Sequence, residues 1–202
     1  MQPTLADFVV TEGSRGALAL VRALIQSRSS GPRLVLLHGP TGVGKTHLLR
    51  AAAHLSGPNS RAATVADTVG EILQRASPAE SDLLTIDDLQ TVARMPVTQR
   101  EIGRYLEERV HAGTRVLAAA GVPPIELGEL MNRLCRIESA RIVAIRPPDT
   151  DEMALLANVL ASRCGIGLEA ETARTIAEHA QGDVRLAQGA ISRLRFVTSM
   201  GA

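Results

Sequence analysis

Two kinds of apolar spacing alternate along this chain. In one, apolar residues follow each other directly, as in Leu34-Val35-Leu36-Leu37, Leu83-Leu84 with Ile86, Val116-Leu117-Ala118-Ala119 and Ile142-Val143-Ala144-Ile145. In the other they return every third or fourth residue, as Leu18, Val21, Leu24 and Ile25 do. The first pattern predicts strands covered on both faces, the second helices with one buried stripe. In chain order, a short segment over 4–11 leads into a helix containing Leu18 to Ile25, which Gly31-Pro32 breaks. The strand at Leu34 is followed by a helix running to about Leu55, stopped at Ser56-Gly57-Pro58-Asn59. A short strand over 62–65, a helical face of Val69, Ile72 and Leu73, and a strand opening at Asp82 come next. A helix over 97–110, a strand over 115–119, a short helix over 127–134 and a strand over 142–145 complete the alternation.

Pro147-Pro148 ends it, and only helical patterns follow, over 149–163, 169–180 and 183–197. Strands alternating with helices predict an α/β fold, a five-stranded parallel sheet with helices on both faces. The all-helical remainder predicts a small lid. The expected division is residues 1–147 for the α/β part and 148–202 for the lid.

The connection after the first long apolar run carries the chemistry. Gly39-Pro40-Thr41-Gly42-Val43-Gly44-Lys45-Thr46 follows the G-x-x-x-x-G-K-[ST] phosphate-loop pattern, between a predicted strand and a predicted helix. Its glycines let the backbone curl so that successive N–H groups point at phosphate oxygens, and the next helix adds its positive end. Lys45 supplies a point charge for the outer phosphates, and the Thr46 hydroxyl can ligate Mg²⁺. The candidate nucleotide-binding set is Pro40, Thr41, Gly42, Val43, Gly44, Lys45, Thr46 and His47. Lys45 is the only lysine in the chain, and every other strongly basic residue is arginine. A compact ammonium is retained at the one position where it serves better than a planar fork.

Asp87 and Asp88 end a buried-type strand, at the edge where an open parallel sheet meets its ligands. Asp87 can hold Mg²⁺, and Asp88 can orient or activate an attacking water. Arg185 falls in the first turn of the last helix, with Asp183 as its expected N-cap, where it can reach a γ-phosphate across a cleft. Arg133, Arg136 and Arg141 lie near the last strand, and spacing does not choose which of them could be donated to a neighbour's nucleotide.

Composition narrows the function further. The net charge of +1 gives no strongly basic surface, so strong duplex DNA binding is not expected. The only aromatics are Phe8, Tyr105 and Phe196, too few for single-strand stacking platforms. Cys135 and Cys164 are isolated, as in a reducing compartment, and the five histidines do not cluster at zinc-ligand spacings. With no signal peptide at the start and no apolar run of membrane-spanning length, the expected location is the cytoplasm.

Taken together, Phe8-Val9-Val10, the loop through His47-Leu48-Leu49, Leu84-Thr85-Ile86-Asp87-Asp88-Leu89-Gln90, Arg133-Leu134-Cys135-Arg136 and Asp183-Val184-Arg185-Leu186-Ala187-Gln188-Gly189-Ala190 resemble the AAA+ ATPases. Within them, the ordered set is most similar to the ATPase domain of the bacterial replication initiator DnaA and its shorter relative Hda. The resemblance implies a P-loop AAA+ fold that binds ATP or ADP with Mg²⁺. It places Phe8, Val9 and Val10 beside the adenine, makes Arg185 the lid's γ-phosphate sensor and Arg136 a finger acting in trans, with Arg133 the alternative. It further implies a nucleotide-dependent regulator or accessory of replication initiation, assembling with itself or docking to a DnaA-type initiator.

Three departures qualify it. Val116 to Gly121 has no polar side chain where the family carries a phosphate sensor, so hydrolysis is expected to be weak or partner-stimulated. The interval 56–81 has room for one strand and one helix of ordinary size, without the family's helical insertion for single-stranded DNA. The chain is expected to lack the helix-turn-helix DNA-binding domain after the lid and an apolar clamp-binding peptide before the sheet. An adaptor subunit with no significant ATPase activity is therefore the alternative reading. A small-molecule kinase is a third, without a substrate-pocket signature.

Overall fold

The structure, a computed structural model, describes residues 3–26, 31–74 and 81–200. Its strands are β1 (Leu34–His38), β2 (Ser60–Ala63), β3 (Leu83–Ile86), β4 (Arg115–Ala120) and β5 (Ala140–Ala144). They form one parallel sheet in the order β2-β3-β4-β1-β5. β1 lies between β4 and β5, with Leu34 opposite both Val116 and Ala140. Leu34 to Leu37 are fully buried, which is why that run shows no polar alternation.

Helices α1 (Glu12–Gln26) and α2 (Lys45–Ser56) cover the face carrying Val35, Leu37, Leu117 and Ala119. The opposite face, with Leu34, Leu36, Ile86, Val116 and Ala118, packs against α3 (Val65–Gln74), α4 (Pro96–His111) and α5 (Gly128–Leu134). Beyond Pro147-Pro148, α6 (Thr150–Arg163), α7 (Ala170–Ala180) and α8 (Val184–Met200) surround a third cluster. Met153, Leu156, Ile176 and Ile191 fill it, while Ala157, Ala161, Ala177, Ala180 and Ala187 bring the helix axes close. Among the described residues no helix is long and apolar enough to cross a membrane.

Local hydrogen bonds move some boundaries from where the apolar pattern puts them. The second strand, expected over 62–65, is Ser60–Ala63, because Thr64 and Asp67 cap α3 reciprocally. The Thr64 N–H donates to Asp67 Oδ2 at 2.8 Å and the Asp67 N–H donates to Thr64 Oγ1 at 3.1 Å, which draws Val65 into the helix. Asp149 caps α6 by accepting the Glu152 N–H at 2.8 Å. The interval after α2 does hold one strand and one helix, with residues 75–80 and the Leu73 side chain outside those described.

Candidate nucleotide-binding site

At the end of β1 the chain turns sharply, and Gly39, Gly42 and Gly44 adopt φ values of 149°, 79° and 100°. A Cβ on Gly39 would fall 2.3 Å from the Ile145 carbonyl oxygen, and one on Gly44 would fall 2.8 Å from the Phe8 ring. Side chains are thus excluded by conformation and by space. Lys45, the first residue of α2, curls back into this turn, its Nζ donating to the carbonyls of Gly39 and Pro40 at 2.7 Å each. Burial lowers the Lys45 pKa, opposed by the nearby carboxylates of Asp87 and Asp88.

β3 delivers two acids to the same edge. Asp87 Oδ2 accepts the Thr46 hydroxyl at 2.6 Å, so an alcohol and a carboxylate oxygen converge beside the loop. Asp88 takes the left-handed conformation, φ 60° and ψ 38°, which turns the chain abruptly out of the strand. Its N–H donates to Asp87 Oδ1 at 2.9 Å, and its Oδ1 accepts from Gln90 Nε2 at 2.8 Å.

The helical lobe closes from the other side. The Val184 N–H, at the start of α8, donates to the Gly42 carbonyl at 3.1 Å. Asp183 caps α8 by accepting the Arg185 N–H at 2.8 Å, and it pairs with Arg185 Nη2 at 3.1 Å. That guanidinium holds the Asp183 carboxyl below the usual carboxylate range. The segment before α1 spans both lobes. Thr4 offers its carbonyl to His47 Nε2 at 3.0 Å, Phe8 tilts against the His47 ring at 5.5 Å between centroids, and Arg163 of α6 donates to the Asp7 carbonyl.

These parts enclose a cleft of about 590 Å³. Phe8, Val9, Thr41, Gly42, Val43, Gly44, Lys45, Thr46, His47, Asp87, Asp88 and Arg185 all line it. Of the remaining sequence candidates, Pro40 and Val10 are exposed and outside its lining. Arg133 and Arg136, at the end of α5, lie away from it. Arg133 is committed to Glu107 of α4 at 3.2 Å, whereas Arg136 is exposed and makes no ion pair among the described residues. Gln90, Gly121, Arg163 and Gln188 line the cleft without having been singled out in the sequence. Gln90, two residues after the acids, and Gln188, one helical turn after Arg185, had local signals; Gly121 and Arg163 are set by packing between distant segments.

The bacterial DnaA ATPase domain family matches residues 2–76. Curated relatives include the chromosomal replication initiator proteins DnaA of Caldanaerobacter subterraneus subsp. tengcongensis, 26% identical, and of Symbiobacterium thermophilum, 28% identical. Each alignment covers 95% of this chain and 47% or 45% of the relative, so the chain spans about half the length of the curated relatives it matches. Domain III of the Thermotoga maritima replication initiation protein DnaA superposes with a TM-score of 0.79 at 22% identity, over 98% of this chain and 90% of that one. The chain resembles the bacterial DnaA ATPase domain in sequence over residues 2–76 and shares its fold over nearly its whole length. A DnaA structure bound to AMPPCP and single-stranded DNA gives a TM-score of 0.80 at 23% identity, over 95% of this chain and 64% of that one. The Thermotoga maritima RuvB branch migration motor is less similar, at 0.67 and 22% identity over 98% and 66%. The phosphate loop, Asp87, Asp88 and Arg185 thus sit on a sheet and a helical lobe whose fold matches those structures.

Proposed function

We propose that this DnaA-like domain binds ATP with Mg²⁺ in the cleft and acts as a nucleotide-dependent regulator or accessory in bacterial replication initiation. The observation that carries the reading is the convergence of the phosphate loop, Asp87, Asp88 and Arg185 on one cleft from two separately packed lobes. The loop amides and Lys45 bind the phosphates. Phe8 and Val9 border the base. The paired oxygens of Thr46 and Asp87, 2.6 Å apart, are the hard donors that Mg²⁺ prefers. Such an ion would neutralise charge on the outer phosphates. Asp88 orients the attacking water, and Arg185, whose Nη1 has no partner among the described residues, reads the γ-phosphate. The lobes divide functionally at residues 147 and 148.

The DnaA relatives and the nucleotide-bound DnaA structure support ATP as the ligand and initiation as the setting. Hydrolysis is weak or partner-stimulated in this reading, because Ala118 to Ala120 are fully buried and bring no polar side chain to the end of β4. Arg136, exposed and without an ion pair among the described residues, fits a finger donated to a second subunit better than Arg133, which Glu107 already holds. The same apolar strand end favours a second reading, an adaptor that binds nucleotide without turning it over; turnover that disappears in Asp88→Asn excludes it.

Size-exclusion with light scattering, run with ATP, ADP and no nucleotide, tests the main reading. ATP alone is expected to drive self-association or docking to a DnaA-type initiator, Arg136→Ala to abolish it, and Lys45→Ala to abolish nucleotide binding. Wild-type affinity in Lys45→Ala overturns the site.

A further inference from the structure

Gln90 lines the cleft and takes no part in the roles above. Its side-chain amide is gripped at both ends. Oε1 accepts the Gly121 backbone N–H at 2.6 Å, and Nε2 donates to Asp88 Oδ1 at 2.8 Å. A backbone N–H only donates and an ionised carboxylate only accepts, so these two partners fix which end of the amide is oxygen. Nε2 keeps a second N–H, which has no acceptor among the described residues.

The partner of Oε1 matters as much as that of Nε2. Gly121 follows Ala120 at the end of β4, between the ends of β1 and β3 that carry the phosphate loop and the acids. It also lines the cleft, but has no side chain to present there. A Cβ on Gly121 would lie 3.2 Å from Gln90 Cδ and 3.4 Å from each of the amide's two heteroatoms. The Gln90 amide therefore occupies the space that a polar side chain on residue 121 would fill. The left-handed turn at Asp88, closed by the Thr91 N–H donating to the Asp88 carbonyl at 3.0 Å, brings Gln90 back over the strand ends.

We propose that Gln90 stands in for the polar side chain missing from the tip of β4, holding Asp88 with one Nε2 hydrogen and offering the other to the terminal phosphate of the nucleotide. This rests on the nucleotide reading above. With Oδ1 fixed by Gln90, the Asp88 carboxylate cannot rotate freely, and Oδ2 is left to accept from water. In the hydrolysis so served, the water oxygen bonds to the terminal phosphorus as the bond to the ADP oxygen breaks. The water's proton passes to Asp88 and on to solvent, and ADP and inorganic phosphate are released.

The test uses the full chain with four proteins: wild type, Gln90→Ala, the near-isosteric Gln90→Met, and Gln90→Ala combined with Gly121→Asn. Two quantities are read, the affinity ratio of a non-hydrolysable ATP analogue to ADP, and kcat and KM for phosphate release with Mg²⁺. Both single variants are expected to lower kcat by about 100- to 1000-fold, as loss of one aimed donor does, with little change in KM. Both should also shrink the analogue-to-ADP preference. Asn at 121, in the space vacated by Gln90, is expected to restore much of each. Where basal turnover is too slow to measure, the affinity ratio decides. An unchanged ratio and kcat in Gln90→Met overturn the proposal, and so does a loss that Gly121→Asn fails to recover. If the wild type binds neither nucleotide, the nucleotide reading itself fails and takes this one with it. If the wild type binds both and Gln90→Met matches it, only the inference about Gln90 fails.

Discussion

Asp183 stands against the phosphate loop at a position where Gly42 leaves no room for anything else: a Cβ on Gly42 would meet its Oδ1 at 2.0 Å. The carboxylate is tolerated there because Arg185 and the first N–H groups of α8 neutralise it, which also depresses its pKa below the ordinary 3.8. A group whose folded pKa is lowered stabilises the fold above its unfolded value, and that contribution is lost as pH falls through the folded one. The melting temperature of the wild type is therefore expected to exceed that of Asp183→Asn near neutral pH. The gap should close progressively as pH drops below about 3.8. A pH-independent gap would show that Asp183 acts by shape alone. Asp88 illustrates a different residue-scale cost. A non-glycine at φ 60° carries backbone strain of roughly 1–2 kcal/mol, tolerated where a carboxylate must be aimed.

The elements around the site are stitched by side chains that serve a neighbour's backbone. α5 has no cap of its own, and Gln99 of α4 supplies one: its Oε1 accepts the N–H groups of Glu129 and Leu130 at 3.1 and 3.4 Å. Its Nε2 donates to the carbonyls of Val92 and Ala93 at 2.9 Å each, in the turn that leads away from the acidic pair. Gln99 is only 3% exposed, so water cannot replace these bonds. Replacing it with leucine strands several buried backbone groups, and Gln99→Leu is expected to cost about 2–4 kcal/mol in chemical denaturation. Because Arg136 follows α5 by two residues, the ATP-driven assembly proposed above should weaken in this variant before ATP affinity does. A cost within about 0.5 kcal/mol would mean that α5 caps itself.

At the scale of the molecule, besides the Glu12 N–H donating to Glu152 of α6, two straps among the described residues join the helical lobe to the sheet. One is α8 on the phosphate loop, through Val184 to Gly42. The other is the segment before α1, which leans on His47, bonds to Arg163 and places Val9 against the lobe's apolar core. A ligand touching both lobes adds its binding energy to their association, about 2.7 kcal/mol at a hundredfold excess over Kd. Arg163 is exposed, so its removal should change global stability by less than about 1 kcal/mol. Arg163→Ala is nonetheless expected to speed hydrogen exchange at the C-terminal end of α6 and to accelerate nucleotide dissociation severalfold. Unchanged exchange in α6 would rule out the strap.

The phosphate loop, the acidic pair and the order of strands and helices were legible in the sequence because each depends on residues within a few positions of one another. Consecutive apolar residues mark a strand buried on both faces, and glycines before Lys45 mark a turn that no side chain could enter. The place of Arg185 in the first turn of the last helix, and the cap at Asp183 before it, were legible because both lie within a few residues of Gly182. What packing decided has no periodicity to read. Gln90 reaching Gly121, Gln99 capping α5, Arg163 holding the Asp7 carbonyl and Asp183 filling the space over Gly42 join segments about 30 to about 160 residues apart. The same packing leaves Val10 exposed while its neighbours Phe8 and Val9 line the cleft, and it commits Arg133 to Glu107 while Arg136 makes no ion pair among the described residues. Local chemistry fixes which residues can bind a phosphate; only the tertiary structure decides which distant side chain completes the strand end beside it.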